Sequence, residues 1–255
     1  MTSDCTRLLG VERLATWPQA AARTAVVWAV LREELSRVGR AVTAVDVGGG
    51  TGGFAVPLAM DGHHVTVVDP SPDALAALKR RAVEAGVADR IEAVQGDADA
   101  LVDLVPGGGA DLVLCHSVLE VVDDPDRTAD ALAGCLRPGG AASVVVANRA
   151  AAVLARAIGG QLGTAVELLG AGSSGAVVGE RLCRRFDRPE ATALLTKAGL
   201  SVELVHGVRI VADLMPGAVA ETESERLLEF ELAASVVSPY RDIATQLHLL
   251  ARKPG

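Results

Sequence analysis

Aromatic side chains are scarce in this chain of 255 residues: three Phe, two Trp and one Tyr, 2% in all. Hydrophobic residues nevertheless make up 50% of it, so the core has to be built from Ala, Val and Leu. Cysteine is equally sparse. Cys5, Cys115, Cys135 and Cys183 stand far apart, with no C-x-x-C pair and no histidine at zinc spacing. That pattern excludes a disulfide framework and a structural metal site, and it predicts reduced thiols and no bound metal. Long apolar runs are missing as well, for none reaches the ~20 residues that span a bilayer. The start, MTSDCTRLLG, lacks the apolar centre of a signal segment. A soluble cytoplasmic protein without a membrane partner is therefore expected. Positive charge is also in deficit. A net charge of −8 argues against a nucleic-acid binder that works by broad phosphate neutralisation, while leaving room for a local basic groove. No internal repeat is evident.

What the chain does contain is an alternation of apolar runs and amphipathic stretches. Pro18 to Val38 reads as a helix with Val26, Val27, Ala29, Val30 and Leu35 on its apolar stripe. Strands are expected at Val42–Val47, Val65–Asp69, Ile91–Gln95, Asp111–His116 and Ala142–Asn148. Helices fall between them, one opening at Ser71 and stopping at Gly86, another near Asp126–Cys135, with a PGGG loop at 106–109. LRPGG, at 136–140, is expected to form a sharp turn before the fifth strand. The rhythm breaks over 149–186, then a helix at about Pro189–Ala198 and another at about Glu223–Ser235 alternate with β-rich runs at 202–214 and 244–253. The length suits one α/β domain: a doubly wound, seven-stranded, mostly parallel sheet, with the last two strands as an antiparallel edge pair.

The densest signal is Ala44–Ala55, AVDVGGGTGGFA, in which a strand passes through glycines into a helix. Glycine suits a turn whose backbone must approach a ligand closely. Two patterns fit. Gly48, Gly50 and Gly53 satisfy the dinucleotide pattern G-x-G-x-x-G, whereas Asp46, Gly48, Gly50 and Gly52 satisfy D-x-G-x-G-x-G. Asp69, ending the second strand, suits the hydroxyls of a ribose under either pattern, or plainly caps the next helix. Asp97-Ala98-Asp99 follows the third strand, where an acid can accept a hydrogen bond from an exocyclic amine. His116 ends the fourth strand, at the crevice an open sheet forms where its winding reverses.

At these residues the chain resembles the class I S-adenosylmethionine-dependent methyltransferases, with their Rossmann-like fold. Within that superfamily it is similar to the bacterial tRNA 5-carboxymethoxyuridine methyltransferase group. The matching stretches are VDVGGGTG, GHHVTVVDPS, DLVLCHSVLEVVDDP, LRPGG, GVRIVADL, LLEFE, SPY and HLLARK. The resemblance implies one methyltransferase domain over 1–255: a helical cap at 1–40, a cofactor-binding core at 41–148, a variable substrate-side segment at 149–188, and helices with edge strands at 189–255. It also implies S-adenosylmethionine as cofactor, with Asp46, Gly50 and Gly52 completing the glycine motif. Arg23 would pair with the methionine carboxylate and Gly48 and Gly49 would pass beneath the amino-acid moiety. Asp69 would hold the ribose, Ala98 and Asp99 the adenine, and His116 would lie beside the sulfonium.

Methyl transfer from a sulfonium is an in-line displacement with a neutral leaving group, so alignment in a dry site matters most. An ionised carboxylate acceptor, which the tRNA resemblance implies, needs no strong base, and no residue is assigned as a catalytic acid or base. Arg209, Tyr240 and Asn148 are the candidates for an acceptor wall. Their plainer roles are an ion pair of Arg209 with Glu229 or Glu231, a packed Tyr240 ring, and a helix cap by Asn148. The related group carries a lysine-rich stretch in the segment where this chain has Arg181, Arg184, Arg185 and Arg188. Those arginines either grip phosphate or form a solvated helix start balanced by Glu180, Asp187 and Glu190. The acceptor is thus a tRNA or a small metabolite. A nicotinamide-dependent oxidoreductase and a cofactor-binding protein without catalysis are the rivals from other classes.

Overall fold

The computed structural model describes residues 22–105, 108–171, 184–215 and 222–255. The expected helix start at 18–21, the first half of the PGGG loop, Cys5, Cys183, Arg181 and most of the loop after Gly170 lie outside the described residues. Seven strands form one sheet: β1 (Thr43–Val47), β2 (His64–Asp69), β3 (Ile91–Gln95), β4 (Ala110–His116), β5 (Leu136–Ala147), β6 (Ser201–Val208) and β7 (Gln246–Arg252). Their order is β3-β2-β1-β4-β5-β7-β6. β1 to β5 pair in parallel, and β7 runs antiparallel to both β5 and β6. The order reverses between β1 and β4, which opens a crevice at the C-terminal, or upper, end of those two strands.

Helices cover both faces. On one side lie α1 (Ala22–Val38), α2 (Ala55–Met60) and α3 (Pro72–Glu84), which bury Leu31, Leu58 and Leu78 against Ala44, Val67 and Leu112 of the sheet. On the other lie α4 (Leu101–Leu104) and α5 (Pro125–Cys135), with Leu101 and Leu132 packed on Val45, Val113 and Val144. The aliphatic core expected from the composition is thus split into two layers by a sheet whose central strands are apolar on both faces. Local chemistry sets the helix starts. The Ser71 hydroxyl accepts from Ala74 N–H at 3.2 Å, and the Asp124 carboxylate accepts from Arg127 N–H at 3.0 Å, each ahead of a proline in the first turn.

Beyond β5 come α6 (Arg149–Ile158) and α7 (Leu162–Gly170), then α8 (Arg188–Lys197), whose Asp187 and Glu190 form a reciprocal capping box. α9 (Ser224–Ala234) lies between β6 and β7 and packs on α1.

Two expectations need correction. LRPGG does not turn the chain ahead of β5: it is the first part of the strand, and β5 advances from Leu136 to Ala141 while β4 advances from Ala110 to Leu112. Gly139, with φ +75°, absorbs that mismatch as a bulge, its N–H bonded to Lys253 O at 2.9 Å. The run at 202–214 also does not stay extended. β6 ends at Val208, because Arg209 takes φ +61° and Glu231, fully buried, accepts from the N–H groups of Ile210, Val211 and Ala212 at 2.8–2.9 Å. The carboxylate offers that backbone what a neighbouring strand would otherwise provide.

Candidate active site

The upper edge of the sheet collects nearly every residue singled out from the sequence. A crevice of about 710 Å³ lies there, bordered by Gly48, Asp69, Ala98, Asp99, Ser117 and Val118, among others. That size suits a ligand of nucleoside dimensions. The glycine turn forms one wall. Gly48, Gly50 and Gly52 all have positive φ, at +68°, +54° and +80°. A Cβ on Gly48 would overlap Val118 Cγ2, and one on Gly52 would overlap Leu78 Cδ1. At Gly53 nothing stands within 4 Å of such a Cβ. The backbone therefore requires glycine at the three positions of D-x-G-x-G-x-G, while the third glycine of G-x-G-x-x-G has no steric reason to be one.

Asp46 sits beneath the turn and not in the crevice. It is 2% exposed, and a Cβ on Gly49 would come within 2.5 Å of its Oδ2, an atom with no hydrogen-bond partner among the described residues. Burial, reinforced by the charge of Asp69, raises its pKa to about 7. Asp69 itself borders the crevice, holding the turn through Gly50 N–H on Oδ2 and the following helix through Ser71 N–H on Oδ1, both at 2.9 Å. Each oxygen keeps a lone pair for a hydroxyl donor. Asp99 accepts from the Thr128 hydroxyl at 2.9 Å, and Ala98 backs onto the core.

His116 belongs to the other side of the strand ends. Its ring meets Phe54 edge-on at 4.5 Å between centroids, and Phe54 stacks on Trp28 of α1 at 4.9 Å. In a chain with six aromatic residues, two meet here. Burial lowers the His116 pKa to about 3 against the opposing effect of a hydrogen bond with Ser143, so the ring is neutral at working pH. Close by, Glu120 is 1% exposed and accepts from Ala147 N–H at 2.6 Å; burial lifts its pKa to about 7 in spite of that bond and of Arg185.

Arg23 and Arg209 come together through Asp213, whose oxygens lie 3.1 Å from the first guanidinium and 2.5 Å from the second. This pairing replaces the expected pairing of Arg209 with Glu229 or Glu231. One carboxylate faces two cations, and the buried Arg209 Nε has no hydrogen-bond partner among the described residues. Arg23 is thus tied to Arg209 through Asp213 and is not among the residues that border the crevice. Asn148 is 2% exposed and fully occupied: Oδ1 caps α6 through Ala150 N–H, and Nδ2 donates to the Asp242 and Ala244 carbonyls. Tyr240 is 48% exposed, just before β7 on the same upper edge. Within the arginine cluster, the Arg184 guanidinium donates to the Val122 and Asp123 carbonyls, Arg185 is buried beside Glu120, and Arg188 lies 3.5 Å from Asp242. Among the described residues no cluster of His, Cys, Asp and Glu is arranged to hold a metal ion, and no helix is long and apolar enough to cross a membrane.

Residues 45–144, which contain the glycine turn, Asp69, Asp99 and His116, match the model of the methyltransferase domain family. The chain is an S-adenosylmethionine-dependent methyltransferase. It is 28% identical to the tRNA 5-carboxymethoxyuridine methyltransferase of Escherichia coli K12 over 238 residues, 91% of this chain and 88% of that protein. It is 34% identical to the ubiquinone biosynthesis O-methyltransferase of Xylella fastidiosa over 171 residues, 65% and 63% of the two chains. The same fold is found in the S-adenosylmethionine-dependent methyltransferase of Mesorhizobium loti, with a TM-score of 0.64, 22% identity, and coverage of 92% and 99%. The class I fold read from the sequence is thus the observed one, and S-adenosylmethionine is its cofactor.

Several residues of this region were given no place in the site from the sequence, even where they lie within the matching stretches. Phe54 and Trp28 could have been found from the scarcity of aromatics. Glu120, Glu231, Ser143 and His248 are polar residues interrupting apolar stretches, a signal of burial that does not say against what.

Proposed function

We propose that this methyltransferase acts on an ionised oxygen, foremost the carboxylate of a modified wobble uridine in tRNA. We read 1–255 as a single methyltransferase domain, in which Gly48, Gly49, Gly50 and Gly52 carry the methionine end over Asp46. Asp69 takes the ribose hydroxyls, and Ala98 with Asp99 takes the adenine. Arg23 reaches the methionine carboxylate from its place beside Asp213, and His116 borders the sulfonium. When bound, S-adenosylmethionine supplies a methyl on a positively charged sulfur that leaves as a neutral thioether.

The chain's own residues then have three tasks. Gly48, by lacking a side chain, lets backbone pass against Val118 so that the donor end lies close to the strand ends. Phe54, Trp28 and Val118 keep water from the reacting face. Arg209, with Tyr240 on the same edge, meets the acceptor's negative charge, and Asn148 supports that wall from below. The observation that carries this reading is the Arg23–Asp213–Arg209 corner, where two guanidiniums share one carboxylate and a net positive charge is left to meet an anionic acceptor. The end-to-end similarity to the E. coli tRNA enzyme supports it.

A second reading, transfer to an oxygen of a small metabolite, draws support from the match to the ubiquinone biosynthesis enzyme and from the internal engagement of Arg184 and Arg185. A cytoplasmic setting belongs to either reading, on the two buried free thiols Cys115 and Cys135. Calorimetry with S-adenosylhomocysteine and with a nicotinamide dinucleotide tests the cofactor site: binding of the first and not the second is expected. Transfer of labelled methyl to bulk tRNA, at low and high salt and against a metabolite extract, tests the acceptor. Label in RNA that falls steeply with salt supports the tRNA reading; label in the small-molecule fraction alone replaces it.

A further inference from the structure

A row of polar side chains runs through the apolar sheet beneath the face that carries α1. His206 of β6 is opposite His248 of β7, His248 is opposite Val145 of β5, and Val145 is opposite His116 of β4. Ser143, two residues before Val145, points to the same face. Its Oγ lies 2.9 Å from His116 Nε2 and 2.8 Å from His248 Nε2. Ser143 and His248 are 0% exposed, whereas His116 is partly exposed at the strand end. The Nδ1 atoms of His116 and His248 have no hydrogen-bond partner among the described residues.

A hydroxyl has one proton to give, so Ser143 donates to one imidazole and accepts from the other. The two neutral rings therefore hold opposite tautomers. If His116 carried its proton on Nε2, the unpaired N–H would fall on His248 Nδ1, at the centre of the sheet. An orphaned buried N–H is rarer and costlier than an orphaned acceptor. With the tautomers reversed, the unpaired N–H falls on His116 Nδ1, an atom that is also buried but belongs to a partly exposed ring at the strand end, and the deep His248 Nδ1 is a bare lone pair.

From this geometry we infer that Ser143 and His248 are positioning residues that hold His116 as the neutral tautomer protonated at Nδ1. The inference rests on the reading that His116 borders the reacting groups. In that tautomer the Nε2 lone pair is taken by Ser143 and Nδ1 already bears hydrogen. His116 is then a donor to an oxygen and not a general base, an arrangement that suits an acceptor oxygen arriving already ionised. The charged group that acts on the row is Arg241, paired with Asp242, which stands beside His206 and, with burial, disfavours charge there; Phe54 and Trp28 close the His116 end.

Long-range proton–nitrogen correlation spectra of the imidazoles test this. In the wild-type protein, His116 should show a protonated Nδ1 and a bare Nε2, His248 the reverse, and neither should become charged between pH 5 and 9. Ser143→Ala should release His116 to a mixture of tautomers, and Ser143→Thr, which keeps the hydroxyl, should restore the single one. A wild-type His116 protonated on Nε2, or titrating near neutral pH, overturns the inference. So does a Ser143→Ala protein with His116 unchanged. If that variant does not fold, the wild-type spectrum alone decides. Titrating S-adenosylhomocysteine into the same samples separates the two readings: no binding with the tautomer pattern intact counts against the placement of the cofactor, not against the relay.

Discussion

Asp111, at the lower end of β4, is 3% exposed and is met by Arg40, Arg137 and the Thr43 N–H. Glu120, just past the upper end of the same strand, is 1% exposed, and its Oε2 has no hydrogen-bond partner among the described residues. Burial acts to raise both pKa values. At Asp111 the hydrogen bonds outweigh it and the pKa falls to about 2; at Glu120 they do not, and it rises to about 7. The contrast extends across the sheet. At the lower edge Glu34 is held by Arg37 and Arg252, again to about 2, and Arg252 also takes Glu203. At the upper edge Asp46, like Glu120, is raised to about 7. Ser117 and Arg209, at the upper edge too, are the non-glycine residues with positive φ among the described residues, a strain on the order of 1–3 kcal/mol each. The lower edge is closed with matched charges. The upper edge keeps unmatched polar atoms and strained backbone, as sites that hold a ligand do.

Substitutions at equivalent acids should therefore separate cleanly. The largest effect is expected for Asp69→Ala, which removes the acceptor of the ribose hydroxyls: affinity for S-adenosylhomocysteine should fall about 100-fold, or about 2.7 kcal/mol, by calorimetry. Gly48→Ala should cost less affinity than that and some thermal stability as well, because its Cβ overlaps Val118 at a backbone of positive φ. Asp111→Ala should do the reverse. Denaturant unfolding should show a loss of about 2–3 kcal/mol, moderated by the exposure of Arg40, with cofactor affinity unchanged. An Asp111 variant that loses cofactor affinity while remaining folded would break the comparison.

The pH dependence sharpens it further. Glu34 and Asp111 ionise more readily when folded, so their stabilisation is present above about pH 4 and is lost as pH falls towards 2. Asp46 and Glu120 keep protons in the folded state that the unfolded chain has released, so stability declines as pH rises from about 4 to 7. Asp46→Asn should flatten that decline by ~2–4 kcal/mol at pH 7 and leave the acid limb unaltered, as measured by unfolding across the pH range. The smallest effect is expected for Lys197→Ala, whose pair with Asp126 is exposed and screened by solvent: no resolvable change in stability by the same assay.

How much was legible in the sequence varied with the range of the forces involved. Local rules fixed β1 to β4, the cap at Ser71 and the glycine turn, because periodicity, capping and left-handed backbone act within a few residues. The same local rules misjudged LRPGG and the end of β6. There the outcome depends on Ala110 across the strand and on Glu231 from a later helix, partners that no local pattern reveals.

By itself, then, the sequence determined a doubly wound sheet with a glycine turn and an acid at the end of β2, because each follows from the chemistry of a short stretch. Three things were decided by the tertiary structure. The choice between two overlapping glycine patterns came from Leu78 and Val118, which crowd Gly52 and Gly48 and leave Gly53 open. Asn148 is occupied by Ala150, Asp242 and Ala244, and Arg23 meets Arg209 through Asp213. The row joining His116 to Ser143 and His248 depends on strand order and register, which set residues far apart in the chain side by side.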